Sequence, residues 1–372
     1  MDSIKVFHKI TQNPGEYILD WKEKTGRKVI GTFCSYSPDE LITASGSLGY
    51  RIFGTGSSVS KADKFLQSYS CSLVRGALEE KLSGGLEFID GVVFPHTCDS
   101  IQRLSDIWRM NIKDSFHLDL VMPVKLNTES ARIYMAEVLK TFKTDLEQQL
   151  SIQISDQALE EAIDLCNQIR RTMGEIYNFR LTNPGVLKGT DLHAMVKAGM
   201  IMDRSEYFAL IKKVLEELKT SNENTDFSGK KLVLSGGLCN MPDVYDVIEN
   251  AGAYIVKDDL CTGNRFFQQM VEKSENLVEA IADRYTNRLI CPAKHSGIRS
   301  RGEALIKMVE ESNAEGVLFI YLKFCDPHGF DYPYLKEMLD EKGIPSFLYE
   351  IEDQLAAAGQ FQTRCEAFVE ML

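Results

Sequence analysis

Short apolar strands that alternate with amphipathic helices constrain this chain most. The strand pattern "KVIGTFCSY" (28–36) is followed by a helix pattern around Glu40, and the strand pattern "YRIFGT" (50–55) by a helix from about Ser70. A further strand pattern, "EFIDGVVFPHTC" (87–98), continues the series. Such alternation is typical of βαβ units, in which parallel strands are joined by helices that cover the sheet. We therefore predict an α/β fold.

The same alternation returns near the end of the chain, after a stretch of helices. Between about residues 128 and 220, apolar residues recur at helical spacing. Strand and helix patterns then alternate again from "KLVLSGG" (231–237) to "IPSFLYEI" (344–351). The pattern predicts two doubly wound, Rossmann- or flavodoxin-like domains with parallel sheets, separated by a helical insert. The expected divisions are a first α/β domain with an N-terminal helix, a helical region with a linker, and a second α/β domain, over residues 1–127, 128–228 and 229–372.

Charge and hydropathy exclude several classes of protein. The formal net charge is −12, and such a surface repels phosphate backbones, so we expect no nucleic-acid partner. The first ten residues lack the basic and apolar pattern of a secretory signal. The longest apolar runs, such as Gly316–Leu322, are far shorter than the roughly 20 residues that span a bilayer. We expect a cytoplasmic protein without a membrane segment.

The nine cysteines are not scattered at random along this pattern. Cytosolic thiols stay reduced, so they should be core residues, metal ligands or catalytic groups rather than disulfides. The carboxyl ends of parallel strands form one rim of a sheet, where ligands bind. Three cysteines in each half lie at such strand ends or at helix starts, and could meet in one cleft: Cys34, Cys71, Cys98, Cys239, Cys261 and Cys325.

Ordinary burial is the alternative explanation for any one of these cysteines, because cysteine is among the most buried residue types. Because cysteine recurs at equivalent positions in both halves, ordinary burial is a weaker explanation for the whole set. Cys166 and Cys365 lie within helix patterns and are expected to be inert, whereas Cys291 is ambiguous. The chain has no C-x-x-C, which structural zinc sites and redox dithiols favour. Thiolates drawn from several loops suit an iron–sulfur cluster held between domains better.

Six stretches resemble the family of 2-hydroxyacyl-CoA dehydratases and benzoyl-CoA reductases, in the family's order and over nearly the whole chain. They are "GTFCSYSPDELITASG" (31–46), "SYSCSLVRG" (68–76), "GVVFPHTCDSIQRL" (91–104), "DDLCTGNRFF" (258–267), "CPAKHSGIRSRG" (291–302) and "KFCDPHGFDYP" (323–333). The resemblance implies iron–sulfur clusters between two α/β domains, with electrons supplied by a separate ATP-hydrolysing activator. It also implies ligands at Cys71, Cys98 and Cys325, three per cluster.

One branch of this family is similar in a further respect. The chain has Cys34, Cys239 and Cys261, where small dehydratase subunits often lack cysteine. The double-cubane cluster proteins hold two fused cubanes, which need six cysteines. This likeness implies a homodimeric iron–sulfur reductase with an [8Fe-9S] double-cubane cluster, which receives low-potential electrons from an ATP-hydrolysing reductase and reduces a small molecule. The division of ligands between the cubanes stays open, with Cys291 as an alternative ligand.

Two other functions remain open. The first alternative is a subunit of a 2-hydroxyacyl-CoA dehydratase or aryl-CoA reductase, which would carry one [4Fe-4S] cluster and act beside a related subunit. The second alternative is a non-catalytic electron carrier. The sequence lacks G-x-G-x-x-G and P-loop patterns, so a partner must bind any ATP that is used.

A few other polar residues have two interpretations. His96 and His328, close to Cys98 and Cys325, are candidate catalytic proton donors, and the alternative is that each is a hydrogen-bonded loop histidine. Glu40 is expected to complete a capping box with Ser37 rather than to act as an acid catalyst. Arg265 either pairs with the charge of a cluster or of a ligand, or forms a surface salt bridge. No basic pocket for a CoA phosphate stands out in the sequence, where Lys294, Arg299 and Arg301 are the weak candidates.

Overall fold

Two four-stranded parallel sheets organise the protein. The computed structural model describes residues 2–54, 58–220, 228–238, 240, 243–288, 291–294, 296–297, 299–352 and 358–372. The first sheet has the order β2-β1-β3-β4 and the second the order β6-β5-β7-β8. Every pairing is parallel. The strands are β1 (Val29–Thr32), β2 (Leu48–Arg51), β3 (Gly91–Pro95), β4 (Phe116–Leu120), β5 (Lys230–Gly236), β6 (Ala253–Asp259), β7 (Gly316–Leu322) and β8 (Ser346–Ile351).

The two sheets share one winding pattern. In each, the first strand along the chain pairs with the second on one side and with the third on the other. The direction of winding therefore reverses between β1 and β3, and again between β5 and β7. Reversals of this kind leave a crevice at the carboxyl ends of the strands, where doubly wound proteins bind ligands. The predicted α/β class with two Rossmann-like parallel sheets is confirmed.

Helices cover both sheets and fill the region between them in the chain. A short 3-10 helix spans Ala62–Lys64. The α-helices are α1 (Asp2–Gln12), α2 (Pro14–Thr25), α3 (Asp39–Ala44), α4 (Ser72–Leu82), α5 (Asp99–Asn111), α6 (Glu129–Leu150), α7 (Asp156–Thr182), α8 (Gly189–Gly199), α9 (Arg204–Thr220), α10 (Asp243–Asn250), α11 (Asn264–Phe267), α12 (Leu277–Asn287), α13 (Ser300–Ser312), α14 (Asp326–Glu341) and α15 (Ala358–Glu370).

The long helices α6 and α7 begin at side chains that satisfy their first amides. The Ala131 amide donates to the Thr128 hydroxyl at 3.2 Å, and the Ala158 amide donates to the Ser155 hydroxyl at the same distance. Caps of this kind stabilise a helix by about 1 kcal/mol. Helix α6 packs against β4 and α12, and α7 packs against α3 and α9. The domain divisions at residues 127 and 228 stay predictions.

The apolar core is continuous between the two halves of the chain. The largest buried cluster covers one face of the first sheet and also includes Leu238 and Phe267 from the second half. A second cluster covers the opposite face and includes Tyr285 of α12 together with Cys291. Shared burial of this kind positions the loops of one sheet against those of the other. In the described part of the chain, no helix is long and apolar enough to cross a membrane.

Helix α3 differs from its sequence prediction. Its N-cap is Pro38, no side chain caps the helix, and the Ser37 hydroxyl has no partner among the described residues. Glu40 is fully buried and forms ion pairs with Arg170 and Arg284. The predicted capping box is therefore wrong, because two arginines from α7 and α12 draw the carboxylate into the interior.

Candidate functional site

Cysteines follow the strands at the crevice of each sheet. Cys34 comes two residues after β1 and Cys98 three residues after β3, and these strands are neighbours. In the second sheet, Cys325 comes three residues after β7, and Cys261 two residues after β6. Cys239, predicted to follow β5, lies outside the described residues. The strand order therefore explains why thiols distant in sequence leave the sheets at neighbouring positions.

Three helices begin at cysteines. Cys71, Cys98 and Cys325 are the N-cap residues of α4, α5 and α14, and none of their side chains makes a capping hydrogen bond. An N-cap side chain lies beside the free amides of the first turn, where Ser, Thr, Asp and Asn are the usual residues. A thiol at this position is a poor cap. As a thiolate, however, it is stabilised by the positive end of the helix dipole.

The cysteines of these loops influence one another electrostatically. Burial raises the pKa of Cys98 to about 12, and Cys71, Cys34 and Cys291 add to the rise. Burial also raises the pKa of Cys325, with additions from Cys71, Cys98 and Cys261. We call the connected set the cysteine group, and its members are Cys34, Cys71, Cys98, Cys261, Cys291 and Cys325.

Cys291 is the member that the sequence left ambiguous. It lies in a tight turn, closed by the Lys294 amide donating to the Cys291 carbonyl at 3.0 Å. Burial raises the pKa of its thiol to about 11; Cys261 and Cys34 raise it further, and Arg265 opposes the rise. Cys291 follows α12 rather than a strand, so the strand-end pattern could not indicate it.

The two cysteines expected to be inert lie elsewhere. Cys166, on α7, is buried with its sulfur 3.8 Å from an Asp39 carboxylate oxygen. Cys365, on α15, is buried in the core of the second sheet. Because each is packed away from the strand ends, both serve as controls for experiments on the cysteine group.

Buried cations face the cysteine group. Arg265 is 1 % exposed; it pairs with Asp259 at 2.6 Å, and its Nη1 donates to the Cys261 sulfur at 3.5 Å. The surface salt bridge expected as an alternative for Arg265 is therefore wrong. Burial lowers the pKa of Arg51, at the end of β2, and the Cys34 and Cys261 sulfurs oppose that fall.

Arg288 is a further buried cation near these thiols. It donates to the Ser35 carbonyl, to the Ser35 hydroxyl at 2.9 Å and to the Arg265 carbonyl at 2.7 Å. Its guanidinium lies 4.7 Å from the ring centre of Tyr36. No carboxylate among the described residues pairs with Arg288 or with Arg51. Sequence reasoning missed both residues, because their burial follows only from how the sheets pack.

The two candidate histidines have different surroundings. The His328 Nδ1 lies 3.2 Å from the Cys325 sulfur, and its Nε2 has no partner among the described residues. Burial lowers the pKa of His328 well below its ordinary value, so its imidazole is neutral at pH 7. The His96 Nε2 lies 2.8 Å from an Asp119 carboxylate oxygen, which also accepts from the Ser105 hydroxyl. His96 is therefore oriented by a carboxylate, and His328 by a thiol.

A cavity of about 600 Å³ opens beside Cys98 and Cys291, between the loops of the two sheets. Its wall is largely apolar, with Val124 from the first half and Phe330 from α14; Phe330 is 78 % exposed. In the described ranges, no three His, Cys, Asp or Glu side chains lie close enough to hold a single metal ion. The thiolates of a cubane bind different iron atoms, so a cluster does not require them to meet at one point.

Comparison with known proteins identifies the family of this chain. The family described as "2-hydroxyglutaryl-CoA dehydratase, D-component" matches residues 34–372. The chain is 27% identical to the (R)-phenyllactyl-CoA dehydratase beta subunit of Clostridium sporogenes, over 98% of this chain and 97% of that protein. It is 29% identical to the lactoyl-CoA dehydratase subunit beta of Anaerotignum propionicum, over 98% and 96%.

A reductase component is also among the relatives. The chain is 28% identical to a benzoyl-CoA reductase subunit of Thauera aromatica, over 92% of this chain and 89% of that protein. The family predicted from the six stretches is therefore confirmed. The chain belongs to the 2-hydroxyglutaryl-CoA dehydratase D-component family and is an enzyme component of the 2-hydroxyacyl-CoA dehydratase type.

Proposed function

We propose that the chain is an iron–sulfur reductase component that carries a double-cubane [8Fe-9S]-type cluster. The observation that supports this most is the cysteine group, six thiols drawn from loops of both sheets. We assign its members to two trios of ligands. The first trio contains the helix-start thiols Cys71, Cys98 and Cys325, and the second contains Cys34, Cys261 and Cys291. Cys239 is retained from the sequence as the alternative to Cys291.

The chemistry of the surroundings fits such a group. Thiolates are the soft ligands that iron–sulfur clusters require. Burial raises the pKa of Cys71, Cys98, Cys291 and Cys325, so these four thiols stay protonated until a metal displaces the proton. An iron–sulfur cluster with its thiolates is an anion. The buried guanidinium groups of Arg51, Arg265 and Arg288 supply positive charge at the same place. When bound, the cluster would supply electrons at low potential, while the protein excludes water and balances the charge.

The remaining roles follow from the surroundings of the cysteine group. We propose that an ATP-hydrolysing activator supplies the electrons, because the sequence has no nucleotide-binding pattern of its own. The small-molecule substrate would enter the cavity beside Cys98 and Cys291. His96 and His328 are the proposed catalytic histidines, since each lies within three residues of a cysteine of the first trio. Because the His328 imidazole is neutral at pH 7, it would accept a proton before it donates one. A homodimer is the proposed assembly.

A single-cluster subunit is the second candidate. It is supported by the names of the relatives, which are beta subunits of dehydratases and one subunit of a reductase. In that case the first trio would hold one [4Fe-4S] cluster, and the partner would be a related subunit rather than a second copy.

Iron and sulfide analysis of anaerobically purified protein separates the two candidates. About eight irons per chain supports the double cubane, and about four supports a single cubane. Protein that is purified or reconstituted without oxygen and still contains no iron would contradict both. Turnover of a 2-hydroxyacyl-CoA with the reduced activator separates an enzyme from an electron carrier.

Single substitutions then test the two trios. Under the double-cubane proposal, Cys261→Ser and Cys71→Ser should each remove about half of the iron or more, because each trio holds one cubane. Under the single-cluster alternative, Cys71→Ser removes the iron and Cys261→Ser leaves it. Cys166→Ser is the matched control, since this buried thiol lies outside the cysteine group and should keep the full iron content.

A further inference from the structure

We propose that Lys294 is the charge-balancing residue of the cysteine group, and that its ammonium sets the reduction potential of the cluster. The proposal rests on the proposed function, because it requires a cluster at these thiols. Lys294 is not a ligand and touches no substrate. Its role is to place one fixed positive charge beside the turn of Cys291 and the loop that leads to Cys98.

The ammonium of Lys294 is completely buried. Its side chain is 0 % exposed, and Nζ donates to the Met122 carbonyl at 3.0 Å and to the His96 carbonyl at 3.3 Å. These carbonyls follow β4 and β3, so Lys294 reaches across to the first sheet from its own turn in the second half of the chain. The position excludes Lys294 as a surface ligand for a CoA phosphate, which the sequence left open. Two carbonyl groups orient the ammonium without neutralising it.

Thiols, rather than carboxylates, are the ionisable groups that act on this ammonium. Burial lowers the pKa of Lys294, and the sulfurs of Cys34, Cys291 and Cys98 oppose the fall. In the described part of the chain, no carboxylate lies within ion-pair distance of Nζ. A buried charge without a counter-charge is costly, so the ammonium requires negative charge at the cysteine group.

The position of Lys294 also relates it to both trios. Cys98 belongs to the first trio, whereas Cys34 and Cys291 belong to the second. By contrast, Arg265 is already paired with Asp259, and Arg51 is influenced by Cys34 and Cys261 of the second trio. The Lys294 amide donates to the carbonyl of Cys291, in the second trio, and its ammonium donates to the His96 carbonyl, two residues before Cys98 of the first trio. No carboxylate among the described residues compensates its charge.

A fixed positive charge changes the equilibrium between the oxidised and reduced forms. Reduction adds negative charge to the cluster, and a nearby cation stabilises the more negative form. Lys294 should therefore raise the reduction potential and help to retain the reduced cluster. Removal of the charge should make the potential more negative, in the same direction for Met and for Gln at this position.

The test uses anaerobically prepared full-length protein and two readouts, iron content per chain and reduction potential from a spectroelectrochemical titration. Lys294→Met removes the charge and the hydrogen bonds, whereas Lys294→Gln removes the charge but keeps a donor for the two carbonyls. Lys294→Arg keeps the charge. Lys81→Met is the matched control, because Lys81 is a buried lysine paired with Asp114 at 2.8 Å.

We expect Lys294→Met and Lys294→Gln to shift the reduction potential to more negative values. Lys294→Arg and Lys81→Met should leave the potential near that of the unmodified protein. Iron loss in Met and Gln together with retention in Arg would also support a role for charge. The proposal would be overturned if Lys294→Met left the potential unchanged, or if Lys294→Gln had the potential of the unmodified protein. Equal iron loss in all three Lys294 variants would also overturn it. Iron-free unmodified protein would instead refute the proposed function, which the iron analysis detects separately.

Discussion

At the residue scale, the interior holds charge in two different ways. In α3, Glu40 is compensated within the protein by Arg170 and Arg284. Around the cysteine group, Arg51 and Lys294 have no carboxylate partner among the described residues and face sulfur instead. The charge of Glu40 is balanced within the protein alone. The charges of Arg51 and Lys294 are balanced only when the thiols carry negative charge. The difference separates a structural ion pair from a candidate cofactor site.

Glu40→Gln tests the structural pair. The substitution leaves two buried guanidinium groups without their carboxylate, so the free energy of unfolding should fall by about 3–5 kcal/mol. Urea denaturation followed by circular dichroism measures the change. Glu129→Gln is the control, because Glu129 pairs with Arg132 at the surface and its loss should leave the midpoint unchanged. Equal midpoints for Glu40→Gln and the unmodified protein would contradict the assignment.

The same pair predicts a pH dependence. Burial alone would raise the pKa of Glu40, but Arg170 and Arg284 outweigh it and lower the pKa to about 2. A carboxyl with a lowered pKa stabilises the fold above its unfolded value of 4.5, and this stabilisation is lost as the pH falls toward 2. The difference in stability between Glu40→Gln and the unmodified protein should therefore shrink from pH 7 to pH 3.

At the element scale, close backbone packing fixes the start of helix α4, and with it Cys71. A Cβ added at Gly76 of α4 would lie 2.2 Å from the Gly54 carbonyl oxygen. Gly54 itself has a φ of +62°, and a Cβ there would lie 2.4 Å from the Leu73 carbonyl oxygen. The loop after β2 and the helix therefore touch through two glycines, and neither tolerates a side chain without movement.

Gly76→Ala should displace α4 and its N-cap thiol. Overpacking of this kind costs about 1–3 kcal/mol, and the variant should also bind less iron than the unmodified protein under the same reconstitution. Gly174→Ala, in α7, is the matched control, because no atom lies within 4 Å of its added Cβ. That variant should be more stable by about 0.4–1 kcal/mol and keep its iron. Thermal unfolding and iron analysis of both variants measure these effects. Equal unfolding midpoints and equal iron contents in Gly76→Ala and Gly174→Ala would refute the idea.

At the scale of the whole molecule, the cysteine group joins the two α/β halves. Cys34, Cys71 and Cys98 come from the first half, and Cys261, Cys291 and Cys325 from the second. A group bound to thiols of both halves would link them, in addition to the shared apolar core and the hydrogen bond from Tyr285 to the Ser37 carbonyl at 2.9 Å. Binding would therefore stabilise the molecule as one unit.

Iron loading should accordingly raise the thermal unfolding midpoint by at least several degrees, because the cluster binds the folded chain and not the unfolded one. Differential scanning calorimetry of reconstituted and chelator-treated protein under anaerobic conditions measures the shift. Cys365→Ser should keep the rise in the unfolding midpoint, since this thiol lies in the core of the second sheet. Cys71→Ser should make the rise smaller. Identical midpoints with and without iron would show that the thiols of the two halves are not bridged.

Local patterns determined much of this protein from the sequence alone. Strand and helix alternation indicated two parallel sheets, and the positions of Cys34, Cys98, Cys261 and Cys325 after strands indicated a common rim. These features can be recognised because burial periodicity and strand ends are properties of short segments. Packing decided the rest: Cys291 joined the cysteine group, Glu40 turned inward, and Lys294 became a buried cation. Each depends on which loops of the two sheets meet, and strand order and the shared core determine that only after the chain has folded.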